Sequence, residues 1–113
     1  MNKLKIAVIG TGLIGSLHAE IYKNNHLSEL VAVCDIDKKR VKQVSKKNNC
    51  KFYYNYEEMF NKEDLDAVSI ATPESVRFKP AVIAAKKGLK ILLEKPLGKK
   101  YTEIKNLVKV LTK

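Results

Sequence analysis

The sequence predicts an α/β fold, a doubly wound parallel sheet, and three observations predict it. Short runs of β-branched residues alternate with longer segments of helical periodicity, which is typical of successive βαβ units. The first run ends in a glycine-rich turn that leads directly into a helical pattern. The 113 residues suit one globular domain, with 45% hydrophobic and 30% charged residues.

The first strand and helix are clear in the pattern. The run from Leu4 to Ile9 is apolar and ends at Gly10, as expected of a buried parallel strand. From Gly12 to about Asn24, apolar residues recur at helical spacing and predict an amphipathic helix with one apolar face. The predicted face consists of Ile14, Leu17 and Ile21.

Two further strands and two short helices follow. The second strand is predicted from Leu30 to Cys34, and Asp37 then has the position of a helix cap. A short third strand spans Phe52 to Tyr54. Asn55 is a second capping residue and begins a brief helix that is predicted to extend through Phe60.

The second half of the chain repeats the alternation. Leu65 to Ala71 is apolar enough to be covered on both faces, which predicts a fourth strand in the middle of the sheet. The next helix has Pro80 in its first turn and ends at Gly88. A fifth strand spans Lys90 to Leu93, and Thr102 is a cap for a last helix. Right-handed crossovers give the strand order 3-2-1-4-5 and a ligand-binding switch point between strands one and four.

Charge and hydropathy exclude several classes of function. The net charge is +10, from 22 Lys and Arg against 12 Asp and Glu. Arg40 and Arg77 are the only arginines, and the lysines are scattered, so we expect no nucleic-acid partner. No apolar run approaches the ~20 residues of a membrane span, and the N-terminal region lacks the pattern of a signal peptide. We therefore expect a cytoplasmic protein with no membrane partner.

The two cysteines predict no special chemistry. Cys34 and Cys50 have neither the spacing of metal ligands nor that of a disulfide framework. We expect buried or incidental thiols in a reducing compartment and no metal site.

The strongest chemical signal is the glycine pattern after the first strand. Gly10 permits a tight turn, Gly12 lets the backbone approach a pyrophosphate, and Gly15 lets the helix pack closely on the strand. Asp35 lies twenty residues beyond Gly15, where its carboxylate can accept hydrogen bonds from ribose hydroxyls. The combination predicts a dinucleotide-binding Rossmann fold. The alternative is a glycine turn needed only for packing, with Asp35 as an ordinary loop acid.

The same acid indicates which dinucleotide is preferred. A carboxylate at Asp35 would repel a 2′-phosphate, so NAD is favoured and NADP is the less expected cofactor. Arg40 lies in the following helix and could partly accommodate a phosphate. A solvated helix residue is the alternative role for Arg40.

Four ordered segments together resemble the Gfo/Idh/MocA oxidoreductase family. They are Gly10 to Ala19, Tyr54 to Met59, Asp66 to Pro73, and Glu94 to Leu97. The resemblance extends from residue 3 to the end of the chain.

The resemblance implies where a nicotinamide dinucleotide would lie. The glycine turn would hold the pyrophosphate, and Asp35 the adenosine ribose. Glu94 would contact the nicotinamide ribose, while Lys95 would be the catalytic residue, orienting a sugar or polyol hydroxyl during hydride transfer. The implied cofactor-binding residues are Gly10, Gly12, Leu13, Ile14, Gly15, Asp35, Thr72, Pro73, Glu94 and Lys95.

The sequence departs from the family pattern after Pro73. The family commonly has Asn and, three residues later, His; here these positions are Glu74 and Arg77. We expect contacts with cofactor or substrate to differ at these two positions.

The larger departure is length. Family members continue with a sixth strand and a second α/β domain that binds substrate and commonly mediates oligomerisation. We interpret residues 1–113 as the dinucleotide-binding domain without that substrate domain, whether as an isolated domain, a truncated gene product or a stand-alone protein. An exposed apolar edge beside the fifth strand could also favour a homo-oligomer.

The expected function follows from this length. We expect the chain to be the NAD-binding domain of an oxidoreductase that transfers hydride between nicotinamide and a sugar, polyol or related CH–OH substrate. Catalysis by these residues alone is not expected, because the substrate wall and a proton-transfer group are lacking. The alternative is a non-catalytic NAD(H)-binding or interaction module.

Overall fold

The computed structural model describes residues 3–73 and 76–93, which form a parallel sheet flanked by helices. The sheet order is β3-β2-β1-β4-β5, as predicted. The strands are β1 (Leu4–Ile9), β2 (Ser28–Cys34), β3 (Lys51–Tyr53), β4 (Ala67–Ile70) and β5 (Lys90–Leu93). The helices are α1 (Leu13–Asn24), α2 (Lys38–Asn48), α3 (Tyr56–Lys62) and α4 (Phe78–Lys86). The predicted helix after Thr102 lies outside the described residues.

Three of the five strands differ from their predicted ends by one or two residues. β2 begins at Ser28, ahead of the predicted Leu30, because Ser28 pairs with the first residue of β1, Leu4. β4 is shorter than the apolar run that predicted it. Just before β4, Asp66 keeps its backbone hydrogen bonds to Lys5 and Lys90, and its side chain also accepts a hydrogen bond from the Lys5 amide at 2.8 Å.

The helices lie on both faces of the sheet, and each face has its own apolar core. One core is formed with α3 and α4, and the other with α1 and α2. Every residue of β4 is buried, as expected of a strand covered on both faces. The buried residues of the α1 and α2 core are Val8, Ala19, Leu30, Val33, Val41 and Val44.

The predicted apolar face of α1 is wrong. Its three residues are about half exposed: Ile14 is 44%, Leu17 52% and Ile21 50% exposed. The buried residues of this helix are Gly15 and Ala19. The reason is close packing, because a Cβ on Gly15 would lie 1.8 Å from the carbonyl oxygen of the preceding turn. Only small side chains fit between this helix and the sheet.

The helix ends agree with the capping predictions. The Asp37 carboxylate accepts a hydrogen bond from the Arg40 amide at 3.1 Å and caps α2. The Asn55 side chain accepts from two amides at the start of α3. Pro80 lies in the first turn of α4, and Gly88 follows this helix with φ +76°.

The topology places a crevice at the carboxyl edge of the sheet. β1 pairs with both β2 and β4, so the strand order reverses at β1, with one half of the sheet on each side of it. In open α/β sheets, ligands bind at this point. Among the described residues, no helix is long and apolar enough to cross a membrane.

Candidate functional site at the carboxyl edge of the sheet

The glycine-rich turn lies between the ends of β2 and β4. The Gly10 amide donates to the Cys34 carbonyl oxygen at 2.7 Å, which ties the turn to β2. On the other side, a Cβ on Gly10 would lie 2.8 Å from the carbonyl carbon and oxygen of Ala71. Gly10 also has φ +96°, a conformation that favours glycine. The turn therefore requires glycine at this position for two reasons.

The space above Gly12 is open. A Cβ on Gly12 would meet no atom within 4 Å, so the backbone can approach a ligand there. Gly12 precedes α1, whose first residues are Leu13 and Ile14, and no side chain caps the helix. The amides of a first helical turn lack partners within the helix and carry the positive end of its dipole. This turn is therefore suited to bind a phosphate group.

Asp35 lies just beyond β2 and is held by the chain itself. Its Oδ2 accepts hydrogen bonds from the Thr11 amide at 2.7 Å, the Thr11 hydroxyl at 2.8 Å and Arg40 Nη2 at 2.9 Å. Its Oδ1 accepts from the Asp37 amide at 3.0 Å. The Asp35 side chain is only 8% exposed. The carboxylate is thus fixed beside the glycine-rich turn before any ligand binds.

These donors control the ionisation of Asp35. Burial raises its pKa, but the amides of Asp37 and Thr11, the Arg40 guanidinium and the Thr11 hydroxyl outweigh burial and lower the pKa to about 2. The hydrogen bond with Asp35 also raises the pKa of Arg40. The site therefore presents an ionised carboxylate at neutral pH.

Sequence reasoning found Asp35 but missed two of its neighbours. Thr11, which lies between two of the glycines, is 1% exposed and donates two hydrogen bonds to the acid. Ile36 follows Asp35 and is 89% exposed, so it places a bare apolar surface beside the carboxylate. The signal for Ile36 was present in the sequence as an isolated apolar residue between two acids.

Arg40 is only partly solvated. Its side chain is 47% exposed, yet its guanidinium contacts Asp35 at 2.9 Å and lies 4.0 Å from an Asp37 carboxylate oxygen. The structure thus puts a half-exposed cation on the carboxylate that the sequence analysis assigned to the adenosine ribose.

The β4 side of the crevice is formed by Thr72 and Pro73. A buried polar atom, the Thr72 hydroxyl oxygen, has no hydrogen-bond partner within residues 3–73 and 76–93. Such an atom is uncommon in folded proteins and has bonding capacity for a water molecule or a ligand. Glu94 and Lys95, the other two positions predicted for this side, lie outside the described residues.

The two cysteine thiols offer no reactive group to this site. Burial raises the pKa of the Cys34 thiol to about 12 and that of Cys50 to about 11, so both stay protonated. In the part of the chain that the structure describes, both cysteines are free and no group of acids, histidines or cysteines is arranged to hold a metal.

Comparison with known proteins identifies the family. The model of the Gfo/Idh/MocA group, an oxidoreductase family with an NAD-binding Rossmann fold, matches residues 4–113. UDP-N-acetylglucosamine 3-dehydrogenase from Acidithiobacillus ferrooxidans is 33% identical over 96 residues, which are 85% of this chain and 29% of that protein.

Solved structures agree in fold. Myo-inositol 2-dehydrogenase from Lactobacillus plantarum superposes with a TM-score of 0.92 at 30% identity, covering 98% of this chain and 33% of that one. An oxidoreductase from Agrobacterium radiobacter was solved with NAD+, L-tartaric acid and magnesium. It superposes with a TM-score of 0.91 at 26% identity, and the match covers 98% of this chain and 33% of that one.

The matches cover nearly all of this chain but only a part of each relative. The chain spans about a third or less of the length of these relatives. The matched segment contains the glycine-rich turn, Asp35 and the β4 side of the crevice. The predicted fold, cofactor class and family are thereby confirmed: this chain belongs to the Gfo/Idh/MocA oxidoreductase family, and residues 4–113 match its NAD-binding Rossmann fold.

Proposed function

We propose that this chain binds NAD and serves as the cofactor-binding part of a dehydrogenase acting on a sugar, polyol or related CH–OH substrate. One observation carries the proposal: the open helix N-terminus at Gly12 lies beside a fixed, ionised carboxylate at Asp35. The first suits a pyrophosphate and the second suits a ribose diol. The dehydrogenase names of the relatives support the substrate class.

The described residues fit a dinucleotide laid along the carboxyl edge. Backbone amides from Gly12 to Ile14 would bind the pyrophosphate, and Asp35 the adenosine ribose. The exposed side chain of Ile36 would lie against the adenine ring. Gly10 and Gly15 would contribute indirectly, by allowing the turn and the helix to approach each other.

The nicotinamide half would lie on the β4 side. Thr72 and Pro73 would line it, with the Thr72 hydroxyl as a donor or acceptor for the ligand. We assign Glu94 to the nicotinamide ribose and Lys95 to the substrate hydroxyl, following the family pattern. Bound nicotinamide supplies the hydride acceptor or donor, while Lys95 orients the hydroxyl whose carbon loses or gains the hydride.

The domain assignment is part of this proposal. Residues 1–113 would act as the dinucleotide-binding domain, and the relatives' remaining length, about two thirds, has no counterpart within them. Apart from the Lys95 contact, substrate binding would then depend on residues other than these. NAD would be preferred over NADP, because Asp35 retains its negative charge.

Ligand-dependent unfolding tests the proposal. The purified chain is heated with NAD, NADH, NADP or NADPH, and the unfolding midpoint is recorded. A ligand at about 100 times its dissociation constant should add about 2.7 kcal/mol and raise the midpoint by several degrees. Stabilisation by NAD and NADH is expected to exceed that by the phosphorylated forms.

Two variants complete the experiment. Asp35→Ala should abolish stabilisation by NAD. Asp66→Ala is the matched control, since it removes a carboxylate that also accepts a backbone hydrogen bond, from Lys5, at the opposite edge of the sheet. The proposal fails if no dinucleotide at millimolar concentration shifts the midpoint of the wild-type chain. An interaction module that uses the same fold would then be the better description.

A further inference from the structure

Arg77 carries a buried charge that the proposed function does not use. It directly precedes α4 and is only 4% exposed. Charged side chains are almost never so buried without bonding partners, because desolvation of a charge is costly. The Arg77 Nη2 donates a hydrogen bond to the Thr72 carbonyl oxygen at 3.2 Å. Since the guanidinium is a rigid planar fork, this bond holds the first residues after β4 in one orientation.

The held segment packs directly on the glycine-rich turn. The Thr72 amide nitrogen lies 3.0 Å from where a Cβ on Gly10 would be. The Ala71 amide donates to the Ile9 carbonyl oxygen at 2.8 Å, which ties the end of β4 to β1. Arg77, Thr72 and Gly10 therefore form one continuous series of contacts from α4 to the pyrophosphate turn.

This series of contacts lies on the β4 side of the crevice only. β2, which precedes Asp35, pairs with one edge of β1, and β4 pairs with the other. If Asp35 holds the adenosine ribose, the nicotinamide half extends toward Thr72, whose buried hydroxyl has no partner among the described residues. We infer that Arg77 is a positioning residue for the nicotinamide half: it fixes the Thr72–Pro73 segment against the glycine-rich turn. This inference rests on the proposed function.

The two halves of the cofactor can be tested separately. NADH contains both halves, whereas ADP contains the adenosine and the two phosphates without the nicotinamide ribose. In Arg77→Gln, the dissociation constant of NADH should rise about tenfold, because a hydrogen bond from a charged group is lost. The dissociation constant of ADP should change less than twofold. Both are measured by calorimetric titration of the 113-residue chain.

Two further variants separate positioning from folding and from charge. Arg77→Lys keeps the charge and a donor, so it should recover part of the NADH affinity. Lys79→Gln removes an exposed positive charge from the same end of α4 and should leave both ligands unaffected. Each unfolding midpoint is recorded alongside, and Arg77→Lys replaces Arg77→Gln if the latter does not fold.

Each result has a definite meaning. A selective loss of NADH affinity supports the inference. Equal weakening of NADH and ADP, or no weakening of either, overturns the positioning role while leaving NAD binding intact. Unfolding of both Arg77 variants also overturns it, because Arg77 would then hold the fold. If the wild-type chain binds neither ligand, the proposed function fails, and the inference fails with it.

Discussion

The two sides of the glycine-rich turn differ in how far the protein satisfies its own polar groups. On the β2 side, the Asp35 carboxylate accepts four hydrogen bonds from the chain. On the β4 side, the Thr72 hydroxyl is buried and finds no partner in residues 3–73 and 76–93. A buried polar atom without a partner costs free energy until something bonds it. One side is therefore organised in advance, and the other keeps bonding capacity for a ligand.

On the β2 side, the hydrogen bonds within the protein compete with a ligand for Asp35. A ribose that binds Asp35 must share the carboxylate with Thr11 and Arg40. Thr11 is buried and cannot leave without unfolding the turn, whereas Arg40 is 47% exposed and can move into solvent. Ligand binding on this side should therefore exchange Arg40 for ribose hydroxyls.

The largest effect is expected from a substitution in the contact between α1 and the glycine-rich turn, which both sides share. In Gly15→Ala, the new Cβ would lie 1.8 Å from the Gly10 carbonyl oxygen, so α1 must move away from the sheet. We expect the free energy of unfolding to fall by about 3 kcal/mol or more, measured by urea denaturation. Wild-type stability in this variant would contradict the close packing described for α1.

A matched glycine variant separates stability from binding. In Gly12→Ala, the new Cβ meets no atom within 4 Å, so the free energy of unfolding should change by less than about 1 kcal/mol. The methyl group nevertheless occupies the proposed pyrophosphate space, so stabilisation by NAD should disappear.

The second effect is a pH dependence specific to the β2 side. The ordinary pKa of an Asp is 3.8, and in the folded chain that of Asp35 is about 2. The stabilisation is complete above pH 4 and is lost as the pH falls from about 4 to 2, because only the ionised carboxylate bonds these donors. The loss should be about 2 kcal/mol in urea unfolding at graded pH.

Substitution of the acid should remove this dependence. Asp35→Asn should lose stability at neutral pH and have a flatter profile between pH 4 and 2. Asp64→Asn is the control, since its carboxylate is 93% exposed at the opposite edge of the sheet, and it should keep the wild-type profile. An unchanged profile in Asp35→Asn would show that Asp35 is not the group responsible.

The third prediction compares the two threonines directly. Thr11→Val removes a hydroxyl that donates to a charged group. Without ligand, the free energy of unfolding should therefore fall by about 1.5 kcal/mol. Thr72→Val removes an unpartnered hydroxyl, so stability should stay within about 0.5 kcal/mol or rise. With NAD added, Thr72→Val should bind more weakly than wild type. Equal losses of stability in the two variants would remove the contrast between the two sides.

The smallest effect concerns Arg40. Because the Arg40 side chain is half exposed, Arg40→Gln should change the free energy of unfolding by about 0.5 kcal/mol, and less at high salt. The same variant should weaken the binding of NADP more than that of NAD, because Arg40 contacts Asp35, the carboxylate proposed to bind the adenosine ribose. Lys39→Gln, an exposed neighbour on α2, is the control and should not alter the NAD to NADP ratio.

Several elements of this structure could be predicted because they depend on local pattern. The Asp37 and Asn55 caps were predictable, since a capping side chain bonds amides only two or three residues away. β1 and β5 have the predicted bounds, because their apolar runs coincide with the sheet pairing. The exposed face of α1 was not predictable, since it depends on a contact between Gly15 and the Gly10 carbonyl.

By itself, the sequence determined the strand order, the glycine-rich turn and the acid beyond β2. These follow from periodicity, residue type and right-handed crossovers, which act over a few residues or one βαβ unit. Only the tertiary structure decided that Thr11 and Arg40 share Asp35, and that Arg77 holds Thr72 beside the turn. Such contacts depend on how side chains meet where several elements converge, and periodicity carries no information about the distances between them.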